Sequence, residues 1–268
     1  MTQRQFTASA AGPVVVSTSV LGIGGHITVT ASTTCTHASV TVRTADETGP
    51  AAEAVRNADL AMEDGRLVAR VTGEDHGSGI TQSVFTRGGR TTVIQSGNVF
   101  SGNVTGMIVV NGKVITGDSS TVTVTPVEIE VTVPAGSSVI AQGDSAGLAT
   151  TGDLVQVSAD MQSGGVDVER ATVVRAKTMS GRIVARAADQ LWAETMSGRI
   201  VARVAGVAQL HSMSGRIEAH AASGGHISAD TMSGCIEITA SSQAITEGLR
   251  VKAKSMSGRV DVPAGCTC

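Results

Sequence analysis

Gly143-Asp144-Ser145-Ala146-Gly147 has the letter pattern of a nucleophile elbow, in which a serine on a sharp strand-to-helix turn attacks a carbonyl. That chemistry needs a helix directly after the serine, and none is predicted here. Gly147 also stands 17 residues before Gly164, in step with a repeat that continues to the end of the chain. The pentapeptide is therefore read as a corner of that repeat, and no catalytic residue is assigned. Six histidines, His26, His37, His76, His211, His220 and His226, include no pair at metalloprotease spacing and no Cys-x-x-Cys partner. They are read as solvated or column-pairing groups. Cysteines stand at Cys35, Cys235, Cys266 and Cys268. Cys266-Thr267-Cys268 could offer two thiolates to a soft metal or to an intermolecular disulfide, but two thiolates alone do not complete a structural site. Residues 265–268 are read as a tail, and no metal or cofactor is assigned.

One constellation has a binding chemistry. Arg182, Arg186, Arg199 and Arg203 fall on one outer face, with Val184 and Val201 between the arginine columns. Like charges stacked one repeat apart repel unless an anion or a carboxylate lies between them. Glu218 and Glu237 replace the valines in later repeats and would shield Arg216, whereas the sequence offers no such carboxylate to the first two repeats. The face is read either as an anion or protein contact or as a merely solvated surface.

These positions are set by a repeat. Met-Ser-Gly returns at Met179, Met196, Met213, Met232 and Met256, in steps of 17, 17, 19 and 24 residues, with Gln162-Ser163-Gly164 as a degenerate earlier copy. A period of this size signals a stacked architecture. Four residues after each Met stand Ile183, Ile200, Ile217, Ile236 and Val260; five before stand Val174, Leu191, Ala208, Ile227 and Val251. Each column has a second apolar column two residues away, the spacing of a strand. Before Met213 a large-small pair is inverted to Ala208 and Leu210, which conserves volume and argues for one shared core. Two before each Met, the column Asp160, Lys177, Glu194, His211, Asp230, Lys254 stacks opposite charges. Ser-Gly after each Met is read as a turn, where glycine enters positive φ without strain. Each unit becomes strand, corner, strand and loop, with the longer steps absorbed by loops near Ser223-Gly224-Gly225 and Ser241 to Gly248.

Composition agrees with many short strands and an aliphatic core: Gly, Val, Thr, Ser and Ala are abundant, with one Trp, no Tyr and three Phe among 268 residues. A net charge of -3 gives no pull toward nucleic acid or acidic lipid. No signal peptide or membrane span is read from the sequence, and the scattered cysteines fit a reducing cytoplasm. Pro13 to Val20 and His26 to Val42 alternate as strands do. Pro50 opens a short helix through Asn57, and Asp64-Gly65 predicts a type I′ hairpin. Residues 73–118 form a Gly-rich insertion, in which Asn111-Gly112 marks a hairpin that either packs on the repeats or is an arm for another chain.

The run Val127-Glu128-Ile129-Glu130-Val131-Thr132-Val133-Pro134-Ala135-Gly136-Ser137, followed by Ser-Gly-x-Ile-x-Ala repeats, resembles a bacterial putative-adhesin β-strand-repeat family, a domain of unknown function. The resemblance implies a right-handed β-helix-like fold and brings no catalytic residue with it.

The expected protein is mainly β: residues 1–134 form a β region with hairpins and one short helix, and residues 135–264 a parallel β-solenoid. Its expected role is that of a non-enzymatic scaffold for protein interaction or self-assembly. The alternatives are an end-to-end polymer and, from another class, a carbohydrate-active β-helix enzyme.

Overall fold

In the computed structural model, residues 1–73, 81–87, 90–96, 108–110, 113–115 and 126–263 are described. The chain divides into two units, Met1–Glu74 with Pro126–Cys268, and Asp75–Thr125. In the second unit, β6 (Thr81–Arg87) pairs antiparallel with β7 (Arg90–Ser96), and β8 (Ile108–Val110) with β9 (Lys113–Ile115). The Asn111-Gly112 turn, His76, Cys266 and Cys268 lie outside the described residues.

The first unit is mainly β, with a mixed sheet of fifteen strands among its described residues. It opens with β1 (Thr2–Ala11), β2 (Val15–Ser32) and β3 (His37–Thr44), then α1 (Pro50–Arg56), β4 (Asp59–Glu63) and β5 (Arg66–Thr72). Pro50 sits in the first turn of α1, where its missing N–H costs nothing, and the helix buries Ala51, Ala52, Ala54 and Val55. Asp64 and Gly65 join β4 to β5 with φ of 49° and 76°, the two positive values that a type I′ turn requires. β10 (Val127–Pro134) inserts between β2 and β3, parallel to the first and antiparallel to the second. Its period-2 pattern buries Val127, Ile129, Val131 and Val133 and leaves Glu128 and Glu130 outside. There Arg43 bridges both carboxylates at 2.7 Å, and they raise its pKa, Glu128 through its hydrogen bond first.

Parallel pairing then runs from β2 to β11 (Ser138–Ser163), β12 (Val166–Ser180), β13 (Ile183–Ser197) and β14 (Ile200–Ser214). Beyond β14 the pairing forks. One arm is β15 (Ile217–Ala221), β17 (Ile236–Ala240) and β19 (Val260–Asp261); the other is β16 (His226–Ser233) and β18 (Arg250–Ser257). Ile183, Ile200, Ile217, Ile236 and Val260 are successive partners, as are Val174, Leu191, Ala208, Ile227 and Val251. All are buried except Val260 on the last strand, and both columns join one core cluster, in which Ala208 and Leu210 are each buried. Within β12 the in-out alternation slips at Glu169-Arg170 and again at Thr172-Val173, which is where the strand turns a corner without losing its ladder.

The Ser-Gly corner works differently from the sequence expectation. Gly164, Gly181, Gly198, Gly215 and Gly234 do not have positive φ, whereas Gly258 in the last copy does, at 157°. Each is glycine because its backbone presses on the repeat before it: a Cβ on Gly198 would lie 1.9 Å from the carbonyl oxygen of Gly181, and one on Gly215 1.8 Å from that of Gly198. The hydroxyl column just inside, Thr178, Thr195, Ser212, Thr231 and Ser255, lies against these corners. Thr178 donates to the Gly164 carbonyl at 3.3 Å and Ser255 to that of Gly234 at 3.0 Å. The hydroxyls of Thr195, Ser212 and Thr231 are buried with no partner among the described residues.

The segment from Ser241 to Gly248 holds a short helix, α2 (Ser242–Thr246), in place of a plain loop. The Ser241 hydroxyl caps it by accepting from Ala244 N at 3.1 Å, and Gly248 closes it with φ of 82°. Glu247, just past its end, accepts from Gly224 N and from Gln243 Nε2, both at 2.7 Å. Those bonds, the backbone one first, hold its carboxyl below the usual glutamate range.

Candidate functional site

Outward columns of the repeats make two faces. On the first, one column pairs Ser158, Arg175, Trp192, Gln209, Ser228 and Lys252 in register, and its neighbour pairs Asp160, Lys177, Glu194, His211, Asp230 and Lys254. Because strand side chains alternate, both columns leave the sheet on the same side while Ala159, Ala176, Ala193, Leu210 and Ala229 between them enter the core. All of them but Lys254 line a shallow groove of about 750 Å³. Near its centre the half-buried Trp192 ring lies 5.2 Å from the Arg175 guanidinium carbon, a cation–π contact worth about 0.5–1 kcal/mol at an exposed site. Lys177 Nζ lies 3.9 Å from Glu194 on the next repeat. The groove thus carries carboxylates, ammonium groups and imidazoles around one indole. It suits a partner that offers both charge signs and an apolar anchor.

Sequence reasoning did not single out this groove, although the signal was present. Trp192 stands four residues before Met196, in a column whose members are Ser, Arg, Gln and Lys, and outward phase follows from the buried Leu191 and Ala193 on either side.

The second face carries the arginines. The expectation that no carboxylate accompanies the first two repeats is corrected: Arg186 donates to Asp167 at 2.8 Å. Asp167 pairs with Val184 in the ladder, so it occupies the valine column one repeat earlier, where a search of later repeats alone does not find it. Arg199 and Arg216 lie 3.9 and 3.6 Å from Glu218. Arg182 and Arg203 have no ion-pair partner among the described residues. Val184 is buried and Val201 half-buried, so the two valines support the face from below and do not form an apolar patch on it. Exposed pairs of this kind contribute about 0–1 kcal/mol each, enough to neutralise the face locally but not to define a site.

Ser145 lies within β11, which continues as strand to Ser163, so the strand-turn-helix context of a nucleophile elbow is missing. Asp144 beside it accepts from Gly22 N and Gln162 Nε2, both at 3.0 Å, and ties three successive segments together.

No protein-family model matches the chain, and no curated protein matches it. Among solved structures, the chain is similar to a putative adhesin from Bacteroides fragilis, with 14% sequence identity, 97% of each chain covered and a TM-score of 0.57. A putative cell adhesion protein from Clostridium sporogenes aligns over 97% of this chain and 98% of its own, with 7% identity and a TM-score of 0.35. The likeness to the Bacteroides fragilis protein is one of fold.

Proposed function

We propose that a chain with the fold of that Bacteroides protein acts as an adhesin-like binding protein: a non-enzymatic β-solenoid whose stacked repeats present the Trp192 groove to a protein partner. The observation that carries this reading is the Trp192–Arg175 pair at the centre of a mixed-charge face. Trp and Arg are the residue types that most often dominate protein interfaces, because a large flat group recovers much free energy when water leaves it. The register of the columns supports the solenoid: each repeat carries the apolar stripe that its neighbours cover. Free thiols at Cys35 and Cys235 accord with work in a reducing compartment.

Trp192 is the sole tryptophan, so its emission reports on this face alone. Partners captured by the full chain should be lost with Trp192→Ala and with Arg175→Glu, and should shift the Trp192 emission when added back. Capture that is unchanged in both variants, with no emission change, would rule out the groove as the binding face.

End-to-end assembly is a second reading, favoured by the outer edges of β18 and β19, which carry no further strand among the described residues, and by Val260 and the following Val262, 38% and 40% exposed. Concentration-dependent sedimentation separates the two: growth into long species supports assembly, and a fixed mass supports the scaffold.

A further inference from the structure

The five Met-Ser-Gly methionines are the apolar groups that this fold displays most regularly. Met179, Met196, Met213, Met232 and Met256 are 49%, 45%, 41%, 48% and 74% exposed. The residues on either side of each are locked in register. Thr178, Thr195, Ser212, Thr231 and Ser255 pair in sequence on one side, and Ser180, Ser197, Ser214, Ser233 and Ser257 on the other. The methionines therefore form a single ladder with one thioether per repeat. They differ from the outward column two residues before them, Asp160, Lys177, Glu194, His211, Asp230 and Lys254, which changes residue type at every step.

A thioether has no proton to donate and accepts hydrogen bonds weakly, so water gains little from it. Its distinctive chemistry is as a neutral, polarizable ligand for soft cations. The ladder's spacing suits that chemistry. Parallel strands lie about 4.8 Å apart. A cation held between two thioether sulfurs needs them a few ångströms apart, a span comparable to the strand spacing, and the three rotatable bonds of methionine allow the side chains to adjust to it. His211 stands two residues before Met213 on the same outward side and adds an imidazole at mid-ladder. Hard-metal chemistry is a poor match, since among the described residues no three His, Cys, Asp or Glu side chains cluster as a metal site. We propose that the methionine ladder binds soft monovalent cations of the Cu(I) and Ag(I) class, with thioethers of adjacent repeats as ligands and Met196 and Met213, the pair beside His211, as its strongest pair.

Silver ion is the probe because it does not change oxidation state in buffer. Cys35, Cys235, Cys266 and Cys268 are first replaced by serine in the full chain, so that thiols cannot compete. Ag(I) is then titrated in chloride-free buffer, followed by native mass spectrometry and by the methionine methyl resonances. The proposal expects at least one retained ion per chain and methyl shifts at Met196 and Met213. Met161, which is 1% exposed and on the inner side, should not shift. Replacing both Met196 and Met213 with leucine keeps side-chain volume and should leave the fold intact by circular dichroism while weakening binding at least tenfold. No retained ion, equal affinity in the double variant, or shifts of the same size at Met1 and Met62 would each overturn it.

Discussion

Gly198→Ala isolates the close approach at the repeat corner. The added Cβ would stand 1.9 Å from the Gly181 oxygen, 2.9 Å from the Gly181 carbonyl carbon and 3.0 Å from Thr195 Oγ1. An ordinary carbon–oxygen contact is roughly 3.3 Å, so the two repeats must part locally by about 1.4 Å. The adjacent bond from Ile183 N to Arg199 O is 2.9 Å long and would stretch past 4 Å, which ends it. A buried N–H and C=O left unpaired cost about 1–3 kcal/mol each, and the overpacking that remains about 1–3 kcal/mol. Partial relaxation places the total at about 3–5 kcal/mol, a large share of the roughly 5–15 kcal/mol that holds a domain together. Urea unfolding followed through Trp192, on the strand that ends just before this glycine, measures the loss. Gly24→Ala is the control, since its Cβ would meet nothing closer than 3.8 Å. Gly198→Asn decides the cause. If the glycine were there for positive φ, asparagine would be tolerated better than alanine, whereas the close contact makes asparagine at least as damaging. A loss under about 1 kcal/mol for alanine, or asparagine more stable than alanine, would refute the argument.

The hydroxyl column yields a contrast: Thr195→Val should be neutral or stabilising, because it removes a buried hydroxyl with no partner among the described residues. Thr178→Val should cost about 1 kcal/mol for its bond to Gly164. Equal effects in thermal melts would contradict the assignment. Glu247 has a folded pKa below the ordinary value near 4.5, so its charge stabilises the fold above that value and the contribution is lost as pH falls through the lowered one. The melting-temperature advantage of the native protein over Glu247→Gln should therefore be constant near pH 7 and shrink as pH falls below the ordinary glutamate value and on through the lowered folded one; an advantage that does not change over the whole acid range would show that the charge is not its source. The edge strand β18 carries Arg250, Lys252 and Lys254 on its outward side, a charge row that opposes the end-to-end pairing its edge would otherwise permit. Changing Lys252 and Lys254 to threonine should raise the sedimenting mass at high protein concentration, and unchanged sedimentation would show that the edge is blocked by something else.

The ladder was legible in the sequence because a period-2 pattern repeated at 17 residues leaves little choice of register: Ile183, Ile200 and Ile217 could face one another only if the segments stack in parallel. Short-range signals carried the helix at Pro50 and the Asp64-Gly65 turn for the same reason, since proline and the residue pair limit the backbone locally. The glycine corners were located but misexplained. Glycine permits both unusual φ and close approach, and the letter alone does not tell them apart. Asp167 was missed as a partner for Arg186 because the valine column was followed only forward, into Glu218 and Glu237, and not one repeat back. α2 was hidden in a longer step, where Ser241 and Gly248 cap only five helical residues. The placement of β10 between β2 and β3 depends on strands far apart in the chain, which no local pattern encodes.

That placement sets the order in which a growing chain can assemble. β2 and β3 leave the ribosome early, yet they have no direct ladder to each other and must wait for Val127–Pro134 to come between them. The later repeats face no such delay, since each finds its neighbour already present 17 to 24 residues back. β1 with β3 and β2 with β5 can thus form early as two separate pieces that only β10 joins, whereas the carboxy-terminal repeats can add one rung at a time onto the sheet so completed.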